Sequence, residues 1–354
     1  MIYNRDKGMK EHLIGERENI RTALERLNAL SGGNMTLFVT DGEGRLSGSL
    51  TDGDLRRALM HGADLDTPVA KVCNKGCLRI SGPEERYSKS LEAKRRGISL
   101  LPATDREGRI MSLIDMSIVK SLLPVDAVMM AGGRGERLRP LTLTTPKPLL
   151  KIGGRPIIDY NIESLMLHGV ESITVTVNYL REQIERHFAN AAEYGGRKLR
   201  IECVAETERL GTMGSLSLIK EFSREDIIVM NSDLLTTIDF AAMYERHKES
   251  GASLTMGVIP YSVNVPFAII DTEGERVTAL QEKPTYNYLA NAGVYILRRE
   301  IAESLEKGKY LDAPDLIDRL IAEGKKVGYY RIEGTWIDIG SPADFARAEA
   351  LMNQ

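Results

Sequence analysis

A glycine-rich bend follows a short apolar run in the segment VMMAGGRGERLRPLTLTTPKPLL, which covers residues 128–150. The apolar run is typical of a buried strand and ends at Met130 and Ala131. The bend contains three glycines, which lack the Cβ atoms that would keep backbone N–H groups away from phosphate oxygens. These glycines are Gly132, Gly133 and Gly135. The order of these parts predicts a loop that holds a triphosphate.

Two fixed cations follow this bend. Arg137 comes shortly after the last glycine, and Lys147 lies between two prolines that restrict the backbone on both sides. A lone G-x-G is more often an ordinary strand-to-helix turn with surface cations. Two other phosphate loops fit poorly, because a Rossmann loop would need glycine at Leu138 and the pattern G-x-x-x-x-G-K-[ST] does not occur.

Two aspartates are candidate ligands of a divalent cation. Asp233 follows the apolar run 227–230, and a carboxylate at the carboxyl end of a strand faces the crevice where parallel sheets bind ligands. Asp338 lies between two isoleucines that would anchor the chain while the carboxylate faces away from them. Mg²⁺ prefers one or two carboxylates together with substrate oxygens. Each aspartate alone is more often a turn or cap residue, but beside a triphosphate loop the two predict a magnesium site.

The pattern G-G-x-G-x-R-L-x-P followed by P-K-P resembles the signature loop of the sugar-1-phosphate nucleotidyltransferases. Further motifs of that family are resembled, in the family's order, by LGTMG at 210–214, NSD at 231–233, EKP at 282–284, NAGVY at 291–295 and WIDIG at 336–340. The resemblance covers about residues 125–350. It implies transfer of a nucleotidyl group from an NTP to a sugar 1-phosphate, with release of pyrophosphate and with Mg²⁺ as cofactor.

The resemblance also implies roles for individual residues. The catalytic residues would be Arg137, Lys147 and Lys283, and the metal ligands Asp233 and Asp338. The nucleotide would contact Met130, Ala131, Gly132, Gly133, Gly135, Glu136, Asn178, Glu206, Gly211 and Thr212. The sugar would contact Glu282, Asn291 and Gly293. Two positions depart from the family pattern, since Glu136 replaces a usual threonine or serine and Ala268 a common glycine.

Residues 123–354 alternate between strand and helix patterns. Strands are predicted at 125–130, 172–177, 199–203 and 227–230, and helices at 157–167, 180–189 and 215–219. This alternation predicts an α/β domain with a Rossmann-like, mostly parallel sheet flanked by helices, in a GT-A-like arrangement. No hexapeptide repeats follow it within the sequence, so no appended left-handed β-helix is expected.

An internal repeat lies in residues 1–122. The segment TDGEGRL at 40–46 returns as TDREGRI at 104–110, and the repeating unit is predicted as helix, strand, turn, strand, helix. The sequence GSLTDGDLRR at 48–57 resembles the nucleotide-binding signature of a CBS repeat, so this part resembles a small α+β tandem CBS pair. That resemblance implies an adenine nucleotide bound by Thr51 and Asp54, although both residues are equally good helix caps. In the second copy Asp115 and Ile118 occupy the equivalent positions, which leaves one nucleotide site at most.

The combination of parts resembles the CBS-containing guanylyltransferases of surface-glycan and nonulosonic acid pathways. It implies GTP and a hexose or hexosamine 1-phosphate as substrates, with dTTP or UTP as the alternative nucleotide. A catalytically weak adenine-nucleotide sensor is the alternative from another class. CBS pairs commonly dimerise, so a homodimer is also expected.

Bulk properties restrict the partners of the chain. A net charge of −3 argues against nucleic-acid binding, and three cysteines provide no disulfide framework. No signal peptide and no long apolar run occur, so a cytoplasmic protein without membrane contact is expected. A sugar phosphate is already ionised at neutral pH, so no general base is needed. His168, His187 and His247 are accordingly predicted on surface helices.

Overall fold

The computed structural model describes residues 2–4, 8–190 and 199–352. The chain forms two compact units that divide between Pro124 and Val125, and the short later segment Met166–Val170 clusters with the first unit. No helix within the described residues combines the length and apolar character needed to cross a lipid bilayer.

The first unit contains two three-stranded sheets, in the orders β2-β3-β4 and β1-β6-β5. Its strands are β1 (Ile2–Asn4), β2 (Leu13–Gly15), β3 (Thr36–Thr40), β4 (Leu46–Thr51), β5 (Leu100–Thr104) and β6 (Ile110–Asp115). Its helices are α1 (Ile20–Ala29), α2 (Asp52–Met60) and α3 (Arg86–Arg95). Short 3-10 segments occur at Met9–His12, Val69–Lys71 and Pro83–Glu85.

The repeat predicted from the sequence is confirmed in the two hairpins of this unit. In β3–β4, the Asp41 carboxylate accepts from the backbone N–H of Arg45 at 2.9 Å, and in β5–β6 Asp105 accepts from Arg109 N at 2.8 Å. Both hairpins also have a register shift at the same place, beside Thr40 and beside Thr104. The same turn chemistry therefore builds the same hairpin twice.

The second copy of the repeat departs from the predicted unit. The first copy closes with α2, but β6 is followed by a turn, so the expected closing helix is wrong. The Asp115 carboxylate accepts from the backbone N–H of Ser117 at 3.0 Å and thereby forms the turn. Val119 and Leu122 then pack into the core of this unit, and Pro124 leads into the next strand. Local hydrogen bonding by the aspartate outweighs the helix pattern here.

The second unit carries a seven-stranded sheet and three two-stranded pairs. The strands are β7 (Val125–Ala131), β8 (Lys151–Ile152), β9 (Arg155–Pro156), β10 (Ser172–Val177), β11 (Arg200–Ala205), β12 (Asp226–Asn231), β13 (Leu234–Thr236), β14 (Leu254–Asn264), β15 (Ile269–Glu273), β16 (Arg276–Gln281), β17 (Thr285–Arg298), β18 (Val327–Arg331) and β19 (Trp336–Asp338). The helices are α4 (Ile157–Leu167), α5 (Arg181–Asn190), α6 (Gly211–Gly214), α7 (Phe240–Ser250), α8 (Arg299–Glu303), α9 (Ala313–Ala322) and α10 (Pro342–Met352).

The large sheet has the order β11-β10-β7-β12-β17-β14-β18, and all its strands are parallel except β17. This confirms the predicted parallel-rich α/β fold. The four predicted strands and the first two predicted helices form with small shifts at their ends. The third predicted helix is wrong, because one α-helical turn, α6, is followed by a 3-10 segment at Ser215–Leu218. Gly211, the first residue of α6, has φ 75°, a left-handed conformation that glycine adopts readily.

β7 lies inside the parallel part of the sheet, between β10 and β12. Its nearly continuous apolar run is typical of a strand that is buried on both faces. The first five residues of β7, Val125 to Met129, are all buried. Its neighbour β12 is equally buried and ends at the same edge, where Asn231 pairs with Met130. Residues that follow these two strands therefore meet at one edge of the sheet.

β14 and β17 extend past the sheet as an exposed two-stranded arm, which we define as residues 260–290, and the hairpin β15–β16 lies in the segment that joins the end of β14 to the start of β17. The arm carries large apolar side chains that are open to solvent, including Phe267 at 73% exposure. The predicted sugar-phosphate ligand Lys283 lies on it.

Candidate active site

The bend after β7 needs two of its glycines for packing. Gly135 has φ 59°, and a Cβ built on it would lie 2.9 Å from Thr142 Cγ2 and 3.2 Å from Lys147 Cβ. A Cβ built on Gly132 would lie 2.8 Å from Glu206 Oε1. Both contacts are too close for a side chain, so these glycines allow the bend to sit against the lysine segment and against Glu206. Gly133 has no neighbour within 4 Å in the same construction and faces open space.

The bend borders a cleft of about 210 Å³, hereafter the cleft. The cleft lies at the carboxyl ends of β7 and β12, and its other walls come from the lysine segment and from the loop that follows β11. Its lining residues are Met130, Ala131, Gly132, Gly133, Lys147, Pro148, Glu206, Arg209, Gly211, Thr212, Asn231, Ser232, Asp233 and Asp312. Most of the residues predicted to contact a nucleotide are thus brought together.

The two candidate metal ligands are joined through a small antiparallel ladder. β13 pairs with β19, which sets Leu234 opposite Asp338. The backbone N–H of Ile339 donates to the carbonyl of Asp233 at 3.2 Å. Trp336 fixes the same strand from the other side, since its indole N–H donates to the carbonyl of Ala292 at 3.0 Å. The ladder places the carboxylates side by side although they are far apart in the sequence.

Lys147 lies between these carboxylates. Its ammonium pairs with Asp233 and lies 3.7 Å from Asp338 Oδ1. The lysine side chain is only 11% exposed, so water screens the pair weakly. The Arg137 guanidinium and the Asp338 carboxylate both lie beside Gly340. A Cβ built on Gly340 would be 3.4 Å from Arg137 Nη2 and 3.4 Å from Asp338 Oδ2.

The protonation of Asp338 reflects this crowding. Burial raises the pKa of Asp338, and the charge of Asp233 raises it further, while Lys147 and Arg137 act in the opposite direction. Two neighbouring carboxylates repel each other unless a cation lies between them. The site is therefore arranged for a positive charge.

These residues fit Mg²⁺. Carboxylate oxygens are hard ligands of the kind that Mg²⁺ prefers. Asp233 Oδ1 is buried and has no hydrogen-bond partner, so it has an unused acceptor position. Within the described ranges, no group of three or more histidine, cysteine, aspartate or glutamate side chains could hold a metal. Substrate or water oxygens would have to complete the coordination around Asp233 and Asp338.

The family model for nucleotidyl transferases matches residues 126–354. The chain belongs to the nucleotidyl transferase family. A Mycobacterium tuberculosis protein named mannose-1-phosphate guanylyltransferase is 32% identical over 233 residues, which are 64% of this chain and 64% of that protein. A Saccharomyces cerevisiae protein named mannose-1-phosphate guanyltransferase is 34% identical over 243 residues, which are 63% of each chain. The chain thus spans less than two thirds of these relatives' length.

A solved structure from Bacillus anthracis, named as a candidate glucose-1-phosphate thymidylyltransferase and crystallised with sucrose, superposes with a TM-score of 0.51. It is 20% identical, and the match covers 65% of this chain and 96% of that chain. At this identity the likeness concerns the fold alone.

Two other residues predicted to contact the nucleotide, Asn178 and Thr212, form hydrogen bonds within the protein. The Asn178 amide donates to the carbonyl of Glu206 at 3.0 Å and is absent from the described lining of the cleft. The Thr212 hydroxyl accepts from Ala313 N at 2.7 Å, and Thr212 N donates to the Asp312 carboxylate at 2.9 Å. These bonds tie the predicted nucleotide loop to the start of α9. Thr212 therefore reaches the cleft with its hydroxyl already engaged.

Glu136, which replaces the usual threonine or serine of the family, does not line the cleft. Its carboxylate is 61% exposed and lies 3.7 Å from Arg139. The predicted contact between Glu136 and the nucleotide therefore receives no support from the described cleft lining, which does not contain it. Ala268 is exposed on the arm, directly before β15.

The predicted sugar ligands are distributed over two places. Gly293 has φ 69°, and a Cβ built on it would lie 2.5 Å from Nδ2 of Asn231, a residue that lines the cleft. Asn291 donates to Tyr295 and accepts from Gly293 N at 2.9 Å. Glu282 and Lys283 are exposed on the arm, and neither occurs among the described residues that line the cleft.

Sequence reasoning missed Arg209 and Asp312 among the lining residues. Asp312 is the N-cap residue of α9, whose first turn contains proline, and this pattern could have located the helix start. Its carboxylate does not cap the helix but accepts from Thr212 and from the Tyr310 hydroxyl at 2.5 Å. Arg209 carries no such signal.

The prediction that the three histidines lie on the surfaces of helices is wrong. His168 and His247 are each 1% exposed. His247 lies on the buried face of α7, where its Nδ1 is 2.8 Å from Thr255 Oγ1. His187 is half-buried with Nε2 at 2.8 Å from Asp159 Oδ1. His247 is covered because α7 packs against β14 and β17, which a helix pattern alone does not reveal.

In the first unit, Thr51 and Asp54 form a capping box at the start of α2. The Asp54 carboxylate accepts from Thr51 N at 2.9 Å and from Arg57 at 2.6 Å. Asp54 also borders an open cavity of about 430 Å³ within this unit, lined in addition by Arg57, Ala58, His61, Ala63, Thr67, Lys71 and Val72. The capping role is thus present, and the aspartate still reaches a cavity.

Proposed function

We propose that the chain is a Mg²⁺-dependent enzyme that transfers a guanylyl group from GTP to a hexose or hexosamine 1-phosphate. Family membership and the names of the two relatives support this class of reaction and the choice of GTP. The observation that carries the proposal is the pair of carboxylates, Asp233 and Asp338, that face Lys147 beside the glycine bend.

The proposed reaction is an in-line displacement at the α-phosphorus of GTP. A phosphate oxygen of the sugar 1-phosphate bonds to this phosphorus while the bond to the bridging oxygen of the β-phosphate breaks. The electron pair of that bond leaves with pyrophosphate. No base has to remove a proton, because the attacking phosphate is already ionised near neutral pH. Positioning and charge neutralisation therefore provide the catalysis.

The residues of the cleft have separate tasks in this reaction. Backbone N–H groups of the bend hold the triphosphate, and the Lys147 ammonium turns from Asp233 toward the phosphoryl oxygens. Arg137 spreads its planar guanidinium over the leaving phosphates at the rim. Mg²⁺ held by Asp233 and Asp338 would neutralise charge on the triphosphate oxygens. Lys283 is proposed to bring the sugar phosphate from the arm, and Glu282, Asn291 and Gly293 to contact the sugar.

The experiment is a screen of the four NTPs and dTTP against hexose and hexosamine 1-phosphates, read by pyrophosphate release. Asp233→Ala should abolish turnover, while Asp271→Ala, which changes an exposed aspartate of the arm, should not. Unchanged turnover of the Asp233 variant would refute the metal assignment. A preference for UTP or dTTP would refute the choice of GTP, and no pyrophosphate with any pair would favour a nucleotide sensor.

We also propose that residues 1–122 are a tandem CBS pair that binds one adenine nucleotide and regulates the transferase. The duplicated hairpins and the cavity beside Asp54 support it. Arg57 and Lys71 at that cavity offer cations for phosphate. Calorimetry with AMP and ATP, and kinetics with and without AMP, should both lose their response in Asp54→Ala. Light scattering of the intact chain tests the homodimer expected of a CBS pair.

A further inference from the structure

The arm is open to solvent along almost its whole length. Of residues 260–290, all of which the structure describes, only Pro284 is buried, and Val265, Ile269 and Ala290 are half-buried. The arm consists of two antiparallel ladders, one between β14 and β17 and one between β15 and β16. A two-stranded ribbon without a third strand or a covering helix is at best marginally stable in water. The arm therefore needs a partner that covers part of its surface.

The outer part of the β14–β17 ribbon, residues 261–264 and 285–288, has two different faces. Side chains alternate between the faces along each strand, and residues directly opposite each other share a face. Tyr261 lies opposite Tyr288, and Val263 lies opposite Tyr286. These four side chains form one face of the ribbon, which we name the tyrosine face.

The other face of the outer ribbon is polar. The Ser262 hydroxyl donates to Asn287 Oδ1 at 2.7 Å. The Thr285 hydroxyl donates to Asn264 Oδ1, also at 2.7 Å. These cross-strand pairs satisfy one another, and water can solvate their remaining donors and acceptors. The ribbon is therefore amphipathic, and its apolar side is the one that lacks a partner.

The tyrosine face is large enough to form part of an interface. Tyr261 and Tyr288 are 56% and 57% exposed, and Val263 and Tyr286 are 39% and 36% exposed. If a buried tyrosine side chain covers about 200 Å², the open area of this face is roughly 350 Å². Further exposed apolar side chains lie on the adjoining segment, namely Phe267, Ile270, Val277 and Leu280. Together the two sets offer roughly 700 Å², which approaches the about 800 Å² per partner of a stable interface.

The charges of the arm restrict the kind of partner. Residues 260–264 and 285–289 contain no charged side chain. The rest of the arm has more carboxylates than cations, with Asp271, Glu273, Glu275 and Glu282 against Arg276 and Lys283. Anionic lipids and nucleic acids bind basic surfaces, so neither fits this arm. In a two-fold contact a surface meets its own copy, and an uncharged apolar face then meets no like charge.

We infer that the tyrosine face packs against the tyrosine face of a second copy of this chain in a two-fold homodimer. The segment 265–284 enlarges the contact with its own apolar side chains. This contact is independent of the proposed reaction. It also uses a surface different from that of the dimer expected of residues 1–122.

The test compares Tyr288→Glu with Asn287→Glu in the intact chain. The two positions are neighbours on β17, but only Tyr288 belongs to the tyrosine face. Tyr288→Glu removes an aromatic side chain and buries an unpaired carboxylate in each half of the contact. We expect the mass of the assembly to halve and the Kd of the dimer to rise by about 100-fold or more, since aromatic side chains dominate interfaces. Asn287→Glu should keep the wild-type mass.

Sedimentation velocity gives the mass of each protein, and circular dichroism shows whether each variant is folded. The mass should halve whether or not residues 1–122 also dimerise, because loss of the arm contact divides either a dimer or a tetramer. A wild type that stays monomeric up to about 100 μM would overturn the inference, since an interface of this size gives micromolar affinity or better. A folded Tyr288→Glu protein with the wild-type mass would also overturn it. Half the mass in Asn287→Glu would overturn the choice of face.

Hydrogen exchange of the wild type provides a second measurement if Tyr288→Glu does not fold. Backbone amides of residues 260–264 and 285–289 should exchange more slowly as the protein concentration rises, because assembly covers them. Exchange of these amides that does not depend on concentration would overturn the inference.

Discussion

Replacing Lys147 by methionine should leave two neighbouring carboxylates without their shared cation. The ammonium pairs with Asp233 and lies 3.7 Å from Asp338 Oδ1. Methionine keeps the length and the apolar stem of the side chain, so the packing of the lysine segment is preserved. The change therefore removes charge more than volume.

The size of the effect follows from the burial of the three groups. Their side chains are 11%, 21% and 39% exposed for Lys147, Asp233 and Asp338. This lies between exposed pairs, which contribute below about 1 kcal/mol, and buried pairs, where losing one partner costs about 3–5 kcal/mol. We expect a loss of about 1–3 kcal/mol in the free energy of unfolding, and a Tm lowered by about 3–10 °C for a domain of this size.

The assay is thermal unfolding in EDTA and in Mg²⁺. In EDTA the Lys147→Met protein should melt earlier than the wild type. Mg²⁺ should raise its Tm by more than it raises the wild-type Tm, because no ammonium competes for the carboxylates and binding to the folded state stabilises it. Lys151→Met changes an exposed lysine nearby and should behave like the wild type in both media.

Two results would refute this reasoning. Equal Tm values of variant and wild type in EDTA would mean that Lys147 does not neutralise Asp233 and Asp338. An equal Mg²⁺ response would mean that the lysine does not occupy the position of the cation.

Three further predictions concern other parts of the second unit. Gly135→Ala should lower the free energy of unfolding by about 1–3 kcal/mol, because Gly135 has a positive φ and its Cβ would contact Thr142. Gly133→Ala, the control, should leave the free energy of unfolding unchanged. Equal denaturation midpoints of the two variants would contradict this prediction. Burial raises the pKa of Asp226, but hydrogen bonds from the histidine and lysine of α7 outweigh it and hold the net pKa below the usual value. Its stabilisation is therefore present above about pH 4, the unfolded value, and is lost as the pH falls through the lower folded pKa. Asp226→Asn should be less stable than the wild type near pH 7, and a difference that persists unchanged to pH 2 would argue against this. Burial raises the pKa of Cys203 to about 11. Iodoacetamide at pH 8 should therefore label Cys203 far more slowly in the native than in the unfolded protein, as measured by mass spectrometry. Equal labelling rates in the two states would disprove this prediction.

Much of the fold is readable from local patterns. The apolar runs that became β7, β10 and β12 are continuous, as expected of strands buried on both faces, and the helix patterns between them require parallel connections. The repeated turn at Asp41 and Asp105 was equally local, since each aspartate bonds to backbone N–H groups of its own hairpin. Where a local pattern met a competing local bond, as at Asp115, the prediction of a helix was wrong.

The candidate site could be predicted only in part. The glycine bend and Lys147 lie close together in the sequence, so their types and spacing pointed to phosphate. The roles assigned to Lys283 on the arm and to Asn178 depended on resemblance, and they stay predictions. Asp312 and Arg209 escaped notice, because they reach the cleft through loops whose course the sequence pattern does not specify.

The amino-acid sequence by itself determined the backbone conformations of short segments, because glycine, proline and apolar periodicity act within a few residues. Tertiary structure alone decided which distant groups meet. The ladder of β13 and β19 sets Asp233 beside Asp338, and the packing of Gly132 holds Glu206 against the cleft. The burial of His247 on α7 was decided in the same way. Such contacts depend on how complete elements pack, and a charge acquires its partner, or lacks one, only when that packing is complete.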